Sequence, residues 1–213
     1  MMAGSSTIAA EPALFAATEL ACRRGGRLVF EALSFELAAG DALVLRGPNG
    51  SGKSTLLRLL AGFLRPSSGG LAWAGRPIAA SDAEHRARLH FVGHADPLKS
   101  LLTVAENLQF AAGLAGGRAH VQAALPGFDL GRLAELPARF LSAGQKRRAN
   151  LARLLATPRP LWLLDEPGVG LDAASRARLE RSVAEHRAGG GLCILATHGD
   201  VTVRDAYVLD FPG

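Results

Sequence analysis

Gly47-Pro48-Asn49-Gly50-Ser51-Gly52-Lys53-Ser54 decides the fold, because a strand-like run at residues 42–46 precedes it and a helical run at residues 54–64 follows it. Glycines in the spacing G-x-x-x-x-G-K-S permit positive φ, so successive backbone N–H groups can point inward and cradle phosphate oxygens at a helix N-terminus. In that reading Lys53 places a point charge toward the β- and γ-phosphates, Ser54 offers its hydroxyl to Mg²⁺, and Thr55 continues the same turn. The expected ligands are ATP and Mg²⁺.

A phosphate loop also needs a carboxylate to hold the metal ion and a group to orient the attacking water. Leu161-Trp162-Leu163-Leu164-Asp165-Glu166 supplies both. An apolar strand ending in two acids is out of place unless a cation or reacting group meets them there. Asp165 is the metal-side candidate and Glu166 the general base or water-positioning candidate. Further along, His198 follows the apolar run 192–196, which places it at a strand's C-terminal edge, where ligands collect in open α/β sheets.

Around these motifs the chain reads as α/β. Residues 28–38 alternate as a strand, residues 66–70 read as a loop, and residues 71–74 and 89–93 as short strands. From about residue 100 to 156 the pattern is helical, first at 104–114 and then in a long helix from Ser142, with Gly116-Gly117 and Pro126-Gly127 punctuating the stretch between. The runs 161–164 and 192–196 read as buried parallel strands flanking an amphipathic helix at 173–187. The expectation is one domain over residues 1–213, with a mostly parallel core sheet and an inserted helical subdomain.

Composition sets the outer limits. The chain has 213 residues, 48% hydrophobic and 20% charged, a globular balance large enough to bury a core without disulfides or metals. Net charge is +5, but the basic residues are dispersed, and the one dense cluster, Lys146-Arg147-Arg148, reads as a solvated helix face rather than a nucleic-acid surface. Cys22 and Cys193 lie far apart in apolar stretches, as free buried thiols do. Residues 1–17 carry no Lys or Arg ahead of their apolar residues and are interrupted by Glu11 and Pro12, unlike a signal peptide. Arg58 breaks the apolar run 56–64, and nothing approaches the ~20 residues that span a bilayer. His90 and His94 fall on a strand and its following loop, not at i and i+4 on a helix, which argues against a haem-ligand pair.

Leu141-Ser142-Ala143-Gly144-Gln145 opens the long helix with a capping-box pattern, which needs no function of its own. In company it says more. The phosphate loop, Leu141 to Gln145, Leu161 to Glu166, the Gly170-Leu171-Asp172 turn and His198 occur in the order of the ABC transporter ATPases, which the chain resembles over nearly its whole length. The resemblance implies the ABC type of P-loop NTPase fold with N-terminal antiparallel strands. It also implies that Ser142, Gly144 and Gln145 form a signature motif acting on ATP bound to a second copy of the chain. Asp172 would lie at that dimer seam, and His198 near the γ-phosphate. Two positions depart from the family pattern. Arg24 stands where an aromatic residue normally stacks on adenine, and the usual glutamine after residue 92 is missing, its place taken by His94 or, as second choice, Asp96.

The Ser-Ala-Gly-Gln-Lys-Arg-Arg run, Trp162 behind Pro160, and Phe91-Val92-Gly93-His94 followed by Lys99 and Thr103-Val104-Ala105-Glu106-Asn107 resemble the CcmA family more narrowly. Its members are ATPases of the bacterial haem exporter in cytochrome c biogenesis. That resemblance implies a peripheral protein at the cytoplasmic face of the inner membrane, partnered by a membrane subunit like CcmB, with CcmC, CcmD and the haem chaperone CcmE beyond it. The competing readings are an ABC ATPase for another small-molecule or lipid cargo and a soluble ABC protein acting on ribosomes or DNA. A small P-loop kinase leaves Leu141 to Gln145 and His198 unexplained.

Overall fold

A computed structural model describes residues 14–79, 82–114 and 120–211; the N-terminal stretch through residue 13 and the Gly116-Gly117 pair lie outside the described residues. In chain order the elements are β1 (Phe15–Arg24), β2 (Arg27–Leu37), β3 (Ala42–Arg46), α1 (Lys53–Leu60), β4 (Ser68–Trp73), β5 (Arg76–Pro77), α2 (Ala83–Ala87) and β6 (Leu89–Val92). After them come α3 (Val104–Leu114), α4 (Val121–Gly127), two short 3₁₀ turns, α5 (Ala143–Ala156), β7 (Leu161–Asp165), α6 (Ala173–Ala188), β8 (Leu192–Ala196) and β9 (Tyr207–Asp210).

Five strands form one sheet in the order β6-β7-β8-β3-β9, with every pair parallel. The other four form an antiparallel sheet, β2-β1-β4-β5. The near-continuous apolar runs of the sequence are explained by the two faces of the parallel sheet. Leu43, Leu45, Leu161, Leu163 and Ile194 pack toward α1 and the antiparallel sheet. Their neighbours Val44, Trp162, Leu164, Cys193 and Leu195 pack toward α3, α4, α5 and α6. Successive side chains of a strand point to opposite faces, so a strand covered on both sides must be apolar at every position. Each fully buried leucine there contributes about 2 kcal/mol of transfer free energy.

Several expectations are corrected. α1 stops at Leu60 instead of reaching residue 64, because Gly62 at φ +75° closes the helix, with the Phe63 N–H on the Arg58 carbonyl and the Gly62 N–H on that of Leu59. Residues 68–70, read as loop, belong to β4, because Thr18 pairs with Gly70 and Ala21 with Ser68 across a bulge in β1. β9 was not expected; it is four residues long and, among the described residues, pairs only with β3. The two thiols are free and buried, and burial pushes the Cys193 thiol up to about 12, leaving it inert. Among the described residues no helix is long and apolar enough to cross a membrane.

Candidate functional site

Because β3, β7, β8 and β6 run parallel, their C-terminal ends share one edge of the sheet. The phosphate loop follows β3, Asp165 and Glu166 end β7, Thr197 and His198 follow β8, and Gly93 to Asp96 follow β6. Residues distant in sequence meet at that edge. The Ser54 hydroxyl donates to Asp165 Oδ1 at 2.9 Å, across 111 residues. His198 Nε2 lies 3.1 Å from Glu166 Oε1 and 2.8 Å from Asn49 Oδ1, joining the third strand end to both the acid and the loop.

The loop itself fits a phosphate chain. Gly50 and Gly52 sit at φ +82° and +114°, and a Cβ on Gly52 would lie 2.7 Å from Val29 Cγ1. Lys53 is buried, and its Nζ donates to the Gly47 and Pro48 carbonyls at 2.7 and 2.8 Å, which commits two of its three protons. The Ser51 hydroxyl is buried with no hydrogen-bond partner. A hooked lysine, an orphaned hydroxyl and a left-handed glycine at the N-terminus of α1 make a cationic nest of the kind that takes phosphate.

Ser142 and Gln145 have a different immediate role. The Ser142 side chain accepts from the Gln145 N–H at 3.3 Å, and the Gln145 side chain accepts from the Ser142 N–H at 2.8 Å, completing the capping box of α5. No hydrogen bond among the described residues joins them to the phosphate loop of the same chain. Gly144 approaches the turn before α6: a Cβ there would lie 3.3 Å from the Gly170 carbonyl. Asp172 caps α6, accepting from the Ser175 N–H at 2.7 Å, and that bond holds its carboxyl below the usual range. Arg24 is exposed at the β1–β2 turn, opposite Arg27.

The basic cluster needs correction. Arg147 is buried, not solvated: Nη1 donates to the Gly93 carbonyl and Asp96 Oδ1, Nη2 to the Asp165 and Glu166 carbonyls. Arg148 reaches back to the Phe128 and Asp129 carbonyls and to Asp129 Oδ2. The sequence did carry a signal: Arg147 shares a helical stripe with the buried Leu151 and Leu154, at i+4 and i+7. Asp96 also accepts from Asn150 Nδ2 at 2.8 Å, so it is committed to α5. His94 is exposed and lines a cavity of about 170 Å³ with Asp96, Ala143, Arg147, Val169 and Gly170.

Comparison with known proteins agrees with this geometry. The ABC transporter family matches residues 30–169. The cytochrome c biogenesis ATP-binding export protein CcmA of Rhodospirillum rubrum is 56% identical over 199 residues, 93% of this chain and 85% of that protein. Its counterpart of the same name in Paramagnetospirillum magneticum is 57% identical over 201 residues, 92% of each chain. Among solved structures, a putative ABC transporter ATP-binding protein from Pyrococcus furiosus superposes with a TM-score of 0.79 over 92% of this chain and 96% of that one at 22% identity, a likeness of fold. An ATP-binding subunit of an ABC transporter superposes with a TM-score of 0.78 at 26% identity, over 87% of this chain and 80% of that one. With phosphate loop, paired acids and histidine on one sheet edge and relatives of this closeness, the chain belongs to the ABC transporter family, as an ATP-hydrolysing subunit most like CcmA.

Proposed function

We propose that the chain powers haem export, or release of the haem-loaded chaperone, in c-type cytochrome biogenesis. The observation that carries this is the 56–57% identity to CcmA proteins over more than nine-tenths of the chain, joined to a phosphate loop whose Ser54 meets Asp165 and a Glu166 that meets His198. In hydrolysis the loop from Gly47 to Thr55 holds the phosphates, with Lys53 neutralising charge that moves toward the β–γ bridge. Ser54 and Asp165, already within hydrogen-bond distance of each other, would hold Mg²⁺, which would supply further neutralisation of the phosphate oxygens. Glu166 orients the water and accepts its proton as the bond to the γ-phosphorus forms and the bond to ADP breaks. His198, within hydrogen-bond reach of Glu166, steadies that carboxylate. Arg24, exposed at the β1–β2 turn where the family resemblance puts an adenine-stacking residue, offers a guanidinium that can stack on a base. Ser142, Gly144 and Gln145 of a second copy close over the nucleotide, where the positive end of the α5 dipole favours the terminal phosphate.

The membrane partner, a subunit like CcmB with CcmC, CcmD and CcmE in the same complex, docks at the cytoplasmic face. A cavity of about 420 Å³ beside α3, lined by Phe63, Phe91, Phe110 and Leu114 with Arg86 and Arg153, suits an amphipathic segment carrying an acidic residue. The test is a haem stain of periplasmic proteins in a deletion strain and in a Glu166→Gln strain. Both should lack covalently haem-loaded c-type cytochromes while haem-bound CcmE accumulates. Normal cytochromes in both would remove the haem pathway and leave an ABC ATPase with another cargo.

A further inference from the structure

A buried arginine whose hydrogen bonds are divided between one acid and three backbone carbonyls asks for an explanation. Arg147 is 5% exposed, and its four bonds go to two segments. Nη1 donates to the Gly93 carbonyl at 2.9 Å and to Asp96 Oδ1 at 3.3 Å, after β6; Nη2 donates to the Asp165 carbonyl at 3.4 Å and the Glu166 carbonyl at 2.7 Å, after β7. Its Nε is buried with no partner. Burying the guanidinium costs a desolvated charge and an orphaned donor, offset only by the bonds it makes to Asp96 and three backbone carbonyls. Packing alone therefore does not account for it.

The segment it holds is strained. Glu166 has φ +48°, a left-handed conformation that costs a non-glycine residue on the order of 1 kcal/mol and persists only where neighbours over-determine it. Three bonds do so here. The Glu166 N–H donates to the Ala196 carbonyl at 3.0 Å, and the Glu166 carbonyl accepts from the Val169 N–H at 3.3 Å and from Arg147 at 2.7 Å. The shortest of the three is the one from Arg147. On the other side Asp96 Oδ1 accepts from Asn150 Nδ2, and Asn150 Oδ1 accepts from Arg153 Nη1 at 2.9 Å. Arg147, Asn150 and Arg153 of α5 are thus linked through Asp96 in a polar chain that runs from the cavity beside α3 to the backbone of Glu166.

We propose that Arg147 is a positioning residue for hydrolysis: it locks the Glu166 backbone in its left-handed conformation, keeping the carboxylate at His198, and ties that conformation to the loop from Gly93 to Asp96. A planar fork can bridge two segments at once; a lysine, as a point charge on a flexible stem, holds one. The inference rests on the reading of Glu166 as the residue that orients water.

The test is a double-mutant cycle on the purified chain with ATP turnover, ATP binding and melting temperature as readouts. Arg147→Met should lower kcat about tenfold or more while KM stays within about threefold, because the phosphate loop is untouched. In a Glu166→Gln background the same substitution should cost no further kcat, since a residue acting through Glu166 has nothing left to position. Arg147→Lys and Asp96→Asn, which keep the site polar, should lose kcat in the same direction with melting within a few degrees, and they decide the matter if the methionine variant does not fold. Unchanged kcat in the folded variants, a loss confined to KM, or equal losses in both backgrounds would each overturn the proposal. Normal turnover of Glu166→Gln alone would instead remove the reading of Glu166, a separate failure.

Discussion

His90 Nε2 meets the Thr157 carbonyl at 2.6 Å, and burial, reinforced by Arg153 and Arg159 nearby, pushes its pKa from 6.5 down to about 4. His85, bonded to the Leu60 carbonyl, and His186, stacked on Trp162 at 4.0 Å, are lowered in the same direction, chiefly by burial. A base whose folded pKa is depressed is neutral in the fold and takes up a proton on unfolding. The unfolded state thus binds more protons below pH 6.5, and stability falls as pH drops from there toward 4. His90 alone accounts for at most about 3 kcal/mol of that loss. Melting temperature should hold steady from pH 8 to 7 and fall by several degrees at pH 5, with His90→Gln shrinking the acid-side loss. The sequence displays these histidines but not their burial. It also displays Arg147 inside a basic triplet, where charge composition favours a solvated face and only the stripe shared with Leu151 and Leu154 argues otherwise.

At the scale of elements, the meeting of β1 and β4 turns on one residue. Gly69 has φ +79°, and a Cβ there would lie 2.3 Å from the Glu19 carbonyl oxygen, opposite the bulge where Glu19 itself is left-handed at φ +48°. Gly69→Ala should destabilise the chain by about 2 kcal/mol or more, read as a drop of several degrees in melting temperature. ATP affinity should be unchanged, because the bulge lies in the antiparallel sheet away from the phosphate loop. A loss of nucleotide binding at full stability would contradict this. Local sequence predicts α5, α6 and β8 well, since period and length agree there: Ser142 caps α5 as its capping-box pattern suggests, and Asp172 proves to cap α6 as well. It reads Ser68-Gly69-Gly70 as a loop because what makes them a strand is pairing with residues some fifty positions earlier.

For the molecule as a whole, the proposed closure of Ser142, Gly144 and Gln145 over the nucleotide of a second copy makes a dimer the working unit, and among the described residues no hydrogen bond joins Ser142 or Gln145 to the phosphate loop of their own chain. Turnover should therefore rise faster than linearly with protein concentration in the dilute range. Mixing inactive Lys53→Ala with inactive Ser142→Arg should restore up to about a quarter of wild-type turnover, because random pairing gives half the dimers one intact site of two. No restoration with mixed dimers demonstrated would argue for a site complete in one copy. The sequence by itself determined the phosphate loop, the paired acids, the capped helices and the parallel strands, because each is a local pattern whose physics acts within a few residues: glycine freedom, cap hydrogen bonds, and alternation forced by burial on two faces. The tertiary structure alone decided that His198 reaches both Asn49 and Glu166, that Ser54 meets Asp165, and that Arg147 joins the ends of β6 and β7. Those contacts depend on strand order and burial, set by the packing of the whole chain, and no window of sequence contains both partners.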